Sequence, residues 1–500
     1  MNKEIKNISV AVLAGGLGTR MKSEEPKALS ALLENPLIFY TVEALINTRK
    51  AFNVYRGYKH RVIIDKIGIV IGHKGESVKN YILKEKRFKV KGVLFDFAEQ
   101  EKYLGTGDAA LKALNMFTSA AGESSLLILP CDMPLIETKT FEDLIKFHLD
   151  NENDLTVLSV KAENPYSYGR ILKDKNGHVK EIVEENELAN YPKNIGEIKE
   201  INSGVYVIKL NHLKRLIKKI KPDNLKKEYY FTDIVNIFFE NGLKTMCYTS
   251  FHKDEFIGVN SKLDLLDAQK ALQKRVLRRL MDNGANFISD DNVYIGYNVE
   301  IGKNATIYPN VFISGNTYIS NDVIVENGCV IKESFIAGKT AIKSYSILEE
   351  AFVMDGAKIG PFARLRPGSL ILEGGTIGNF VEVKKSIIGK NTKASHLSYI
   401  GDALIGDGVN IGAGVITCNY DGVKKYETII EDGCFIGSDS QLVAPVKIGK
   451  NSYVGSGTTV TKDVPEGSLA ISRMPQRNIM GWALKKMKQK KTKKQKQDGV

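Results

Sequence analysis

From residue 293 the chain settles into a six-residue beat. Ile295, Ile301, Ile307, Ile313, Ile319, Val325 and Ile331 recur without a break, and Ile430, Ile436, Leu442, Ile448, Val454 and Val460 do so again. Between the runs, "IGPFA", "IGNFVEV", "IIGKN" and "YIGDALIGDGVNIGAG" keep the theme with small offsets. A six-residue period with glycine after the aliphatic residue marks a parallel β-helix. Each flat side of the coil turns one aliphatic residue inward, and glycine serves the tight corners. The period predicts a β-helix over 285–484.

Upstream the pattern is different. "ISVAVLAGG", "KIGIVIGH", "VKGVLFDFAEQ", "SLLILPCD" and "DLTVLSVKA" read as strands, with "LIFYTVEALINTRK", "TKTFEDLIKFHLD" and "LNHLKRLIKKI" as helices between or after them. That order implies an α/β layer fold with a largely parallel sheet over 1–261. Ligands of such sheets bind beyond the carboxyl ends of the strands. Residues 262–284 carry Leu266, Leu272, Val276 and Leu280 at helical spacing and stop at Asn283-Gly284, so they read as a helical linker. A length of 500 residues also asks for more than one core.

The net charge of +13 first suggests nucleic acid, but residues 485–500 hold eight Lys and one Asp, leaving only +6 elsewhere. This basic tail, poor in apolar residues, reads as disordered and solvated, and no nucleic acid is expected as partner. Cysteines 131, 247, 329, 418 and 434 form no CxxC pair and no zinc spacing. No run of eighteen apolar residues suggests an integral membrane segment, and the opening stretch lacks a signal-peptide pattern. A cytoplasmic protein is expected.

"VLAGGLGTRMKSEEPKAL", residues 12–29, looks like a strand, a glycine-rich turn and a polar segment. It lacks the Gly-Lys-Ser/Thr end of a Walker A loop and opens no good helix for a dinucleotide fingerprint. Gly15, Gly16 and Gly18 alone fit an ordinary tight turn. Arg20 and Lys27 add cations that suit a triphosphate whose leaving pyrophosphate gains charge. "LPCDMPL" places Asp132 at the end of an apolar strand, where a carboxylate has no packing reason to be and a hard oxygen suits Mg²⁺.

"LAGGLGTRM…PKAL", "QEKYLGTGDA", "PCDMPL", "YGRI", "EIVEE", "EINSGVY", "EYYFTDI" and "GVN" follow one another in an order that resembles the sugar-1-phosphate nucleotidyltransferases. With the β-helix, the chain resembles the bifunctional N-acetylglucosamine-1-phosphate uridylyltransferase/glucosamine-1-phosphate acetyltransferase family over roughly residues 8–482. The resemblance implies a Rossmann-like nucleotidyltransferase domain followed by a left-handed parallel β-helix. Leu13, Ala14, Gly15, Gly16, Arg20 and Lys27 would then hold the nucleotide, and Gln100, Gly105 and Thr106 the base and ribose. Gly169, Glu184, Asn202 and Asn260 would bind the sugar phosphate, and Asp132 and Asn260 the Mg²⁺. The implied chemistry is in-line attack of N-acetylglucosamine 1-phosphate on UTP, catalysed by positioning and charge neutralisation. Three features depart from the family. Pro130-Cys131 replaces an aromatic-glycine pair, Asp108 stands where histidine is common, and residues 53–66 look like extra length.

A β-helix can be an inert scaffold, so the test is whether its coils carry groups that packing would not choose. His396 in "KASHLSYIGD" is such a group. "RLRPG", "VEVKK", "ASHLSYIGD", "NIGAG", "TCNYDG" and "ISRMPQ" are similar to the acetyltransferase half of the family. The resemblance makes His396 the general base for an amine that must lose its proton, a task suited to histidine near neutral pH. Arg366, Lys384, Tyr399 and Asn410 would bind glucosamine 1-phosphate. Asn419 and Tyr420 would close that pocket and, with Ala413, Ser438, Ser456 and Arg473, line the acetyl-CoA groove; Ser456 replaces a common alanine. A homotrimer is implied, with UDP-N-acetylglucosamine for cell-envelope polysaccharides as product. The departures leave open a single-activity nucleotidyltransferase of altered specificity, its β-helix a trimerisation scaffold. The tail alone favours a binding protein.

Overall fold

The computed structural model of the chain describes residues 4–497 except 17, 55–58, 118–123, 166–167, 225–226 and 473, with side chains described up to residue 491. The chain divides into two compact units, Met1–Val276 and Leu277–Val500. The helix Lys262–Asp282 spans that division and ends where Gly284, at φ 100°, leaves the helical region.

The first unit is built on a ten-stranded sheet. Its main path runs Val179–Val183, Arg170–Lys173, Glu200–Lys209, Ser124–Pro130, Ile5–Ala14, Lys66–Ile71, Leu94–Glu99. The last four strands are mutually parallel. Val10, Val12, Ile67, Ile69, Leu127 and Ile128 are fully buried, as continuous apolar runs in parallel strands require. The other half is mixed. Glu200–Lys209 runs antiparallel to both Ser124–Pro130 and Leu155–Lys161, and Arg170–Lys173 pairs antiparallel with Val179–Val183. The expectation of a largely parallel sheet therefore holds only for the first half. The cause is local. Asn176-Gly177 forms a tight turn, with Gly177 at φ 84° and the Asp174 carboxylate accepting from the Asn176 and His178 amides, so the chain folds back as a hairpin.

The second unit is a parallel β-helix of three sheets with eleven, ten and nine strands. Ile307, Val325, Ile342, Ile359, Ile377, Ala394, Ile411, Ile436 and Val454 pair in turn up one side of the coil. All are buried, so each six-residue beat corresponds to one inward position. Small buried hydroxyls close the corners. Ser386 Oγ donates to the Lys384 carbonyl at 2.8 Å and accepts from the Ala403 amide at 3.0 Å. Several coils are one residue short of three full beats, and the largest departure falls between Ile411 and Ile436, where a loop closed by a bridge between Tyr420 and Lys425 is inserted.

The tail differs from its expected disorder: Trp482–Gln497 is a helix. Lys, Gln, Ala, Leu and Met are all good helix formers, and low hydrophobicity does not oppose a helix in itself.

Ile377 lies fully buried in the middle of its inward column. Ile377→Ala is expected to cost about 2–5 kcal/mol of β-helix stability. The check is a lowered denaturant midpoint of the second unit, with the first unit's transition unmoved.

Candidate functional site

The loops after the parallel strands carry the first site. Ile5–Ala14 runs into the Gly15–Gly18 turn, Ser124–Pro130 into Cys131-Asp132, and Leu94–Glu99 into Gln100. A Cβ on Gly15 would stand 2.9 Å from Gln100 Oε1, and one on Gly18, at φ +58°, 2.8 Å from Lys27 Cβ. The turn is thus pressed against both residues, while Gly16 faces open space. Lys27 Nζ donates to Asp132 Oδ2 at 2.6 Å and to Asn260 Oδ1 at 2.9 Å. The lysine is largely buried and the aspartate partly so. Asp264 accepts from the Asn260 and Ser261 amides, which fixes Asn260 at the start of the Lys262–Asp282 helix. Asp132 and Asn260 therefore present two hard oxygens to one cation-sized point. That donor set fits Mg²⁺, which takes one or two protein oxygens and completes its shell with water and substrate phosphates. Among the described residues no cluster of three or more His, Cys, Asp or Glu could hold a metal on its own.

Among the residues expected at the base and ribose, Gln100 is buried and its amide donates to the Gly105 carbonyl at 3.1 Å and to Asp108 Oδ2 at 2.9 Å. Asp108 thereby orients Gln100, which turns Oε1 toward Gly15. Thr106 Oγ1 accepts from the Phe231 amide at 3.0 Å, tying this corner to the "EYYFTDI" segment. Leu13 receives the Cys131 amide on its carbonyl, and Ala14 is buried beside it. Arg20 is exposed and has no partner among the described residues. Cys131 is buried, and burial with Asp132 alongside pushes its thiol up to about 12, so it stays un-ionised.

Among the residues expected to bind the sugar phosphate, the Gly169 carbonyl accepts from the Asn202 amide at 2.9 Å, and a Cβ on Gly169 would meet Ile182 at 2.7 Å. The Asn202 side chain is committed locally: it donates to Tyr206 and accepts from the Gly204 amide, holding a bulge in its strand. Glu184 accepts from the Thr232 hydroxyl at 3.0 Å. Behind it stands Asp233, which sequence reasoning did not single out. Burial, then the charges of Glu187, Glu184, Glu181 and Asp223, push its carboxyl up to about 7.

In the β-helix, register builds the second site. Asn379 pairs with His396, and continuing that register places Ala413, Ser438 and Ser456 in the same corner column. The Ala413 carbonyl accepts from Asp439 N and the Ser438 carbonyl from Gly457 N, both at 2.8 Å, so these corners stack directly. His396 is exposed at the head of the column, its imidazole without a hydrogen bond among the described residues. Arg366 and Lys384 occupy equivalent positions on successive coils at the other end of the second sheet, with Tyr399 on the outward face between. Asn410 lies one coil from Lys393 on the first sheet. Asn419 donates to the Asp402 carboxylate, and a side chain on Gly401 would collide with Asn419 and the Tyr399 hydroxyl. Tyr420 is exposed on the inserted loop. The same loop supplies Lys425, a residue missed because it lies where the period breaks. Contact with Lys425, its charge and that of Arg366 lower the Lys384 pKa, so three cations converge. Glu382 pairs with Arg366 at 2.9 Å. Arg473 lies outside the described residues.

The Asp233 carboxyl is raised from 3.8 to about 7 on folding, so its contribution is complete below pH 3.8 and is lost as pH rises through 7. Asp233→Asn removes that loss. The variant should raise the melting temperature of the first unit more at pH 8 than at pH 5; an equal shift at both would contradict the assignment.

Both units are similar to known proteins. Residues 9–274 match the nucleotidyl transferase family, residues 289–370 the GMPPB C-terminal domain, and residues 427–462 the bacterial transferase hexapeptide (six repeats). The bifunctional protein GlmU of Thermodesulfovibrio yellowstonii is 42% identical over 482 residues, covering 96% of this chain and 100% of that protein. That of Thermosipho africanus is 42% identical, covering 95% of this chain and 97% of the relative. That of Carboxydothermus hydrogenoformans is 41% identical, covering 93% and 98%. With a nucleotidyl transferase unit, a hexapeptide β-helix and full-length relatives at this identity, the chain belongs to the bifunctional GlmU family.

Proposed function

We propose that the two sites act in succession to make UDP-N-acetylglucosamine. The observation that carries this reading is that each unit gathers basic side chains at one place: Arg20 and Lys27 beside the glycine turn, where Lys27 also pairs with Asp132, and Arg366, Lys384 and Lys425 on the β-helix, where Arg366 also pairs with Glu382.

In the β-helix, the phosphate of glucosamine 1-phosphate meets the three cations, and the sugar lies across the outward face that carries Tyr399. This points its amine toward the corner column. The ammonium gives a proton to His396. The amine then attacks the thioester carbonyl of acetyl-CoA: a C–N bond forms, the C–S bond breaks, and the leaving coenzyme A thiolate takes up the second proton lost from nitrogen, giving the amide and free thiol, while His396 sheds its proton to solvent. Ala413, Ser438 and Ser456 run on from His396 and give the pantetheine arm a straight groove. A scaffold-only β-helix gives no reason for a cation trio or for an exposed histidine at the head of that groove.

In the first unit, a phosphate oxygen of N-acetylglucosamine 1-phosphate attacks the α-phosphorus of UTP, and pyrophosphate departs. The backbone of the Gly15–Gly16 turn, with Arg20 and Lys27, balances charge on the departing group. Gln100, oriented by Asp108, together with Gly105 and Thr106 receives the base and ribose. Gly169, Glu184 and Asn202 frame the sugar. Mg²⁺ held by Asp132 and Asn260 would reduce repulsion between the two phosphate-bearing substrates.

Two apolar ladders support a homotrimer. Tyr345, Phe362, Phe380 and Leu397 stack on the His396 corner at φ 59°, 53°, 55° and 48°, and are 53%, 45%, 56% and 61% exposed. Bulky residues in this left-handed region each cost on the order of 1 kcal/mol, which water contact cannot offset. A second ladder, Tyr318, Phe335, Phe352, Leu370, Ile387 and Leu404, runs down the outward face of the third sheet. Each can cover the other on a neighbouring copy, a head-to-tail pairing that closes as a ring. Five free cysteines and the lack, among the described residues, of a helix fit to cross a membrane accord with a cytoplasmic enzyme.

Lys27→Ala should lower uridylyl transfer by roughly 10²–10³-fold and leave acetyl transfer intact, and His396→Ala should do the reverse. Separate pyrophosphate and thiol assays read the two; loss of both activities in either variant contradicts two independent sites. Phe380→Glu should convert the trimer to monomers on light scattering while uridylyl transfer persists.

A further inference from the structure

From Gly467 to Gln497 the chain contains no acidic residue, but it contains two arginines and eight lysines. The eight lysines fall within the helix Trp482–Gln497, and every helix side chain that is described is exposed. No acidic residue lies within the helix itself. Lys486 and Lys490 stand four residues apart, as do Lys490 and Lys494, and like charges at that spacing oppose a helix in water. At sixteen residues the helix is only just longer than the length below which an isolated helix is marginal. The same helix leaves three large apolar side chains in water: Trp482, Leu484 and Met487 are 58%, 66% and 62% exposed. Lys486 lies over the Trp482 ring at 5.9 Å, so charge and apolar surface are interleaved.

We propose that this helix docks the enzyme on an anionic lipid bilayer. Both defects of the free helix are met by one partner. Acidic headgroups neutralise lysines that otherwise repel one another. The interfacial region accepts tryptophan at headgroup depth and leucine and methionine just below it. Nucleic acid would satisfy the lysines through its phosphates, but it has no use for exposed Leu484 and Met487. None of the residues of the helix belongs to either site assigned above, and docking would hold an enzyme that makes a nucleotide sugar at the membrane surface.

The test is flotation of the full-length protein with phosphatidylcholine vesicles, with and without phosphatidylglycerol. We expect co-flotation with the anionic vesicles, roughly tenfold or more above the neutral ones, and release by salt. Removal of residues 485–500, or glutamine at Lys485, Lys486, Lys488, Lys490 and Lys491 together, should abolish it with both enzyme activities unchanged, which also shows that the variants fold. Trp482→Ala should weaken it several-fold. Failure of the full-length protein to float with anionic vesicles overturns the proposal. So does tighter binding to a duplex RNA oligonucleotide, indifferent to Trp482→Ala and Leu484→Ala, which would assign the helix to nucleic acid.

Discussion

Each coil of the β-helix hydrogen-bonds to the next through strands of two to four residues, and this pairing decides which side chains share a corner. The inward aliphatic column fixes the register, because a slip by one residue would turn a buried isoleucine outward along a whole side. Once the register is fixed, positions far apart in sequence are stacked. His396, Ala413, Ser438 and Ser456 fall into one column, and Arg366 and Lys384 into another. The acetyltransferase site thus needs no packing of its own beyond what the coil already supplies. It is an outward decoration of an inward constraint. The exception is Lys425, brought in by a loop that leaves the coil and returns to it.

The first unit solves its problem differently. Its site is made by loops at the ends of parallel strands, and close contacts rather than a repeating register hold those loops together. Gly15 lies against Gln100, Gly18 against Lys27, and Lys27 against Asp132 and Asn260. The Lys27 ammonium joins three stretches of chain separated by more than a hundred residues each, and it marks the place where a divalent cation would find the same two oxygens. Asp108, a departure from the family pattern, has a task here in holding the Gln100 amide.

What could be read in the sequence follows from how local each signal is. The β-helix was legible because its constraint repeats every six residues, and His396 because it interrupts a pattern of aliphatic and small residues. The glycine turn and Asp132 were legible as local oddities at strand ends. Lys425 was hidden because it lies in the inserted loop, where no period gives it a position. The mixed half of the sheet was hidden because Asn176-Gly177, a hairpin signal, lies within a run of charged residues. The structural task of Asn202 depends on a bulge opposite Ser159 and Val157, which no spacing announces. The tail was read from hydrophobicity, which is silent on helix propensity. Asp233 is perturbed by four carboxylates brought together by folding, a property no single stretch contains.

The central claim is that one chain carries two complete and separable reactions. The most direct measurement follows free thiol and pyrophosphate separately in one purified sample, supplied with glucosamine 1-phosphate, acetyl-CoA, Mg²⁺ and each of the four nucleoside triphosphates in turn. The account expects thiol in every case and pyrophosphate only with UTP. Pyrophosphate from N-acetylglucosamine 1-phosphate and UTP with no thiol released from glucosamine 1-phosphate would contradict it and leave the β-helix a scaffold.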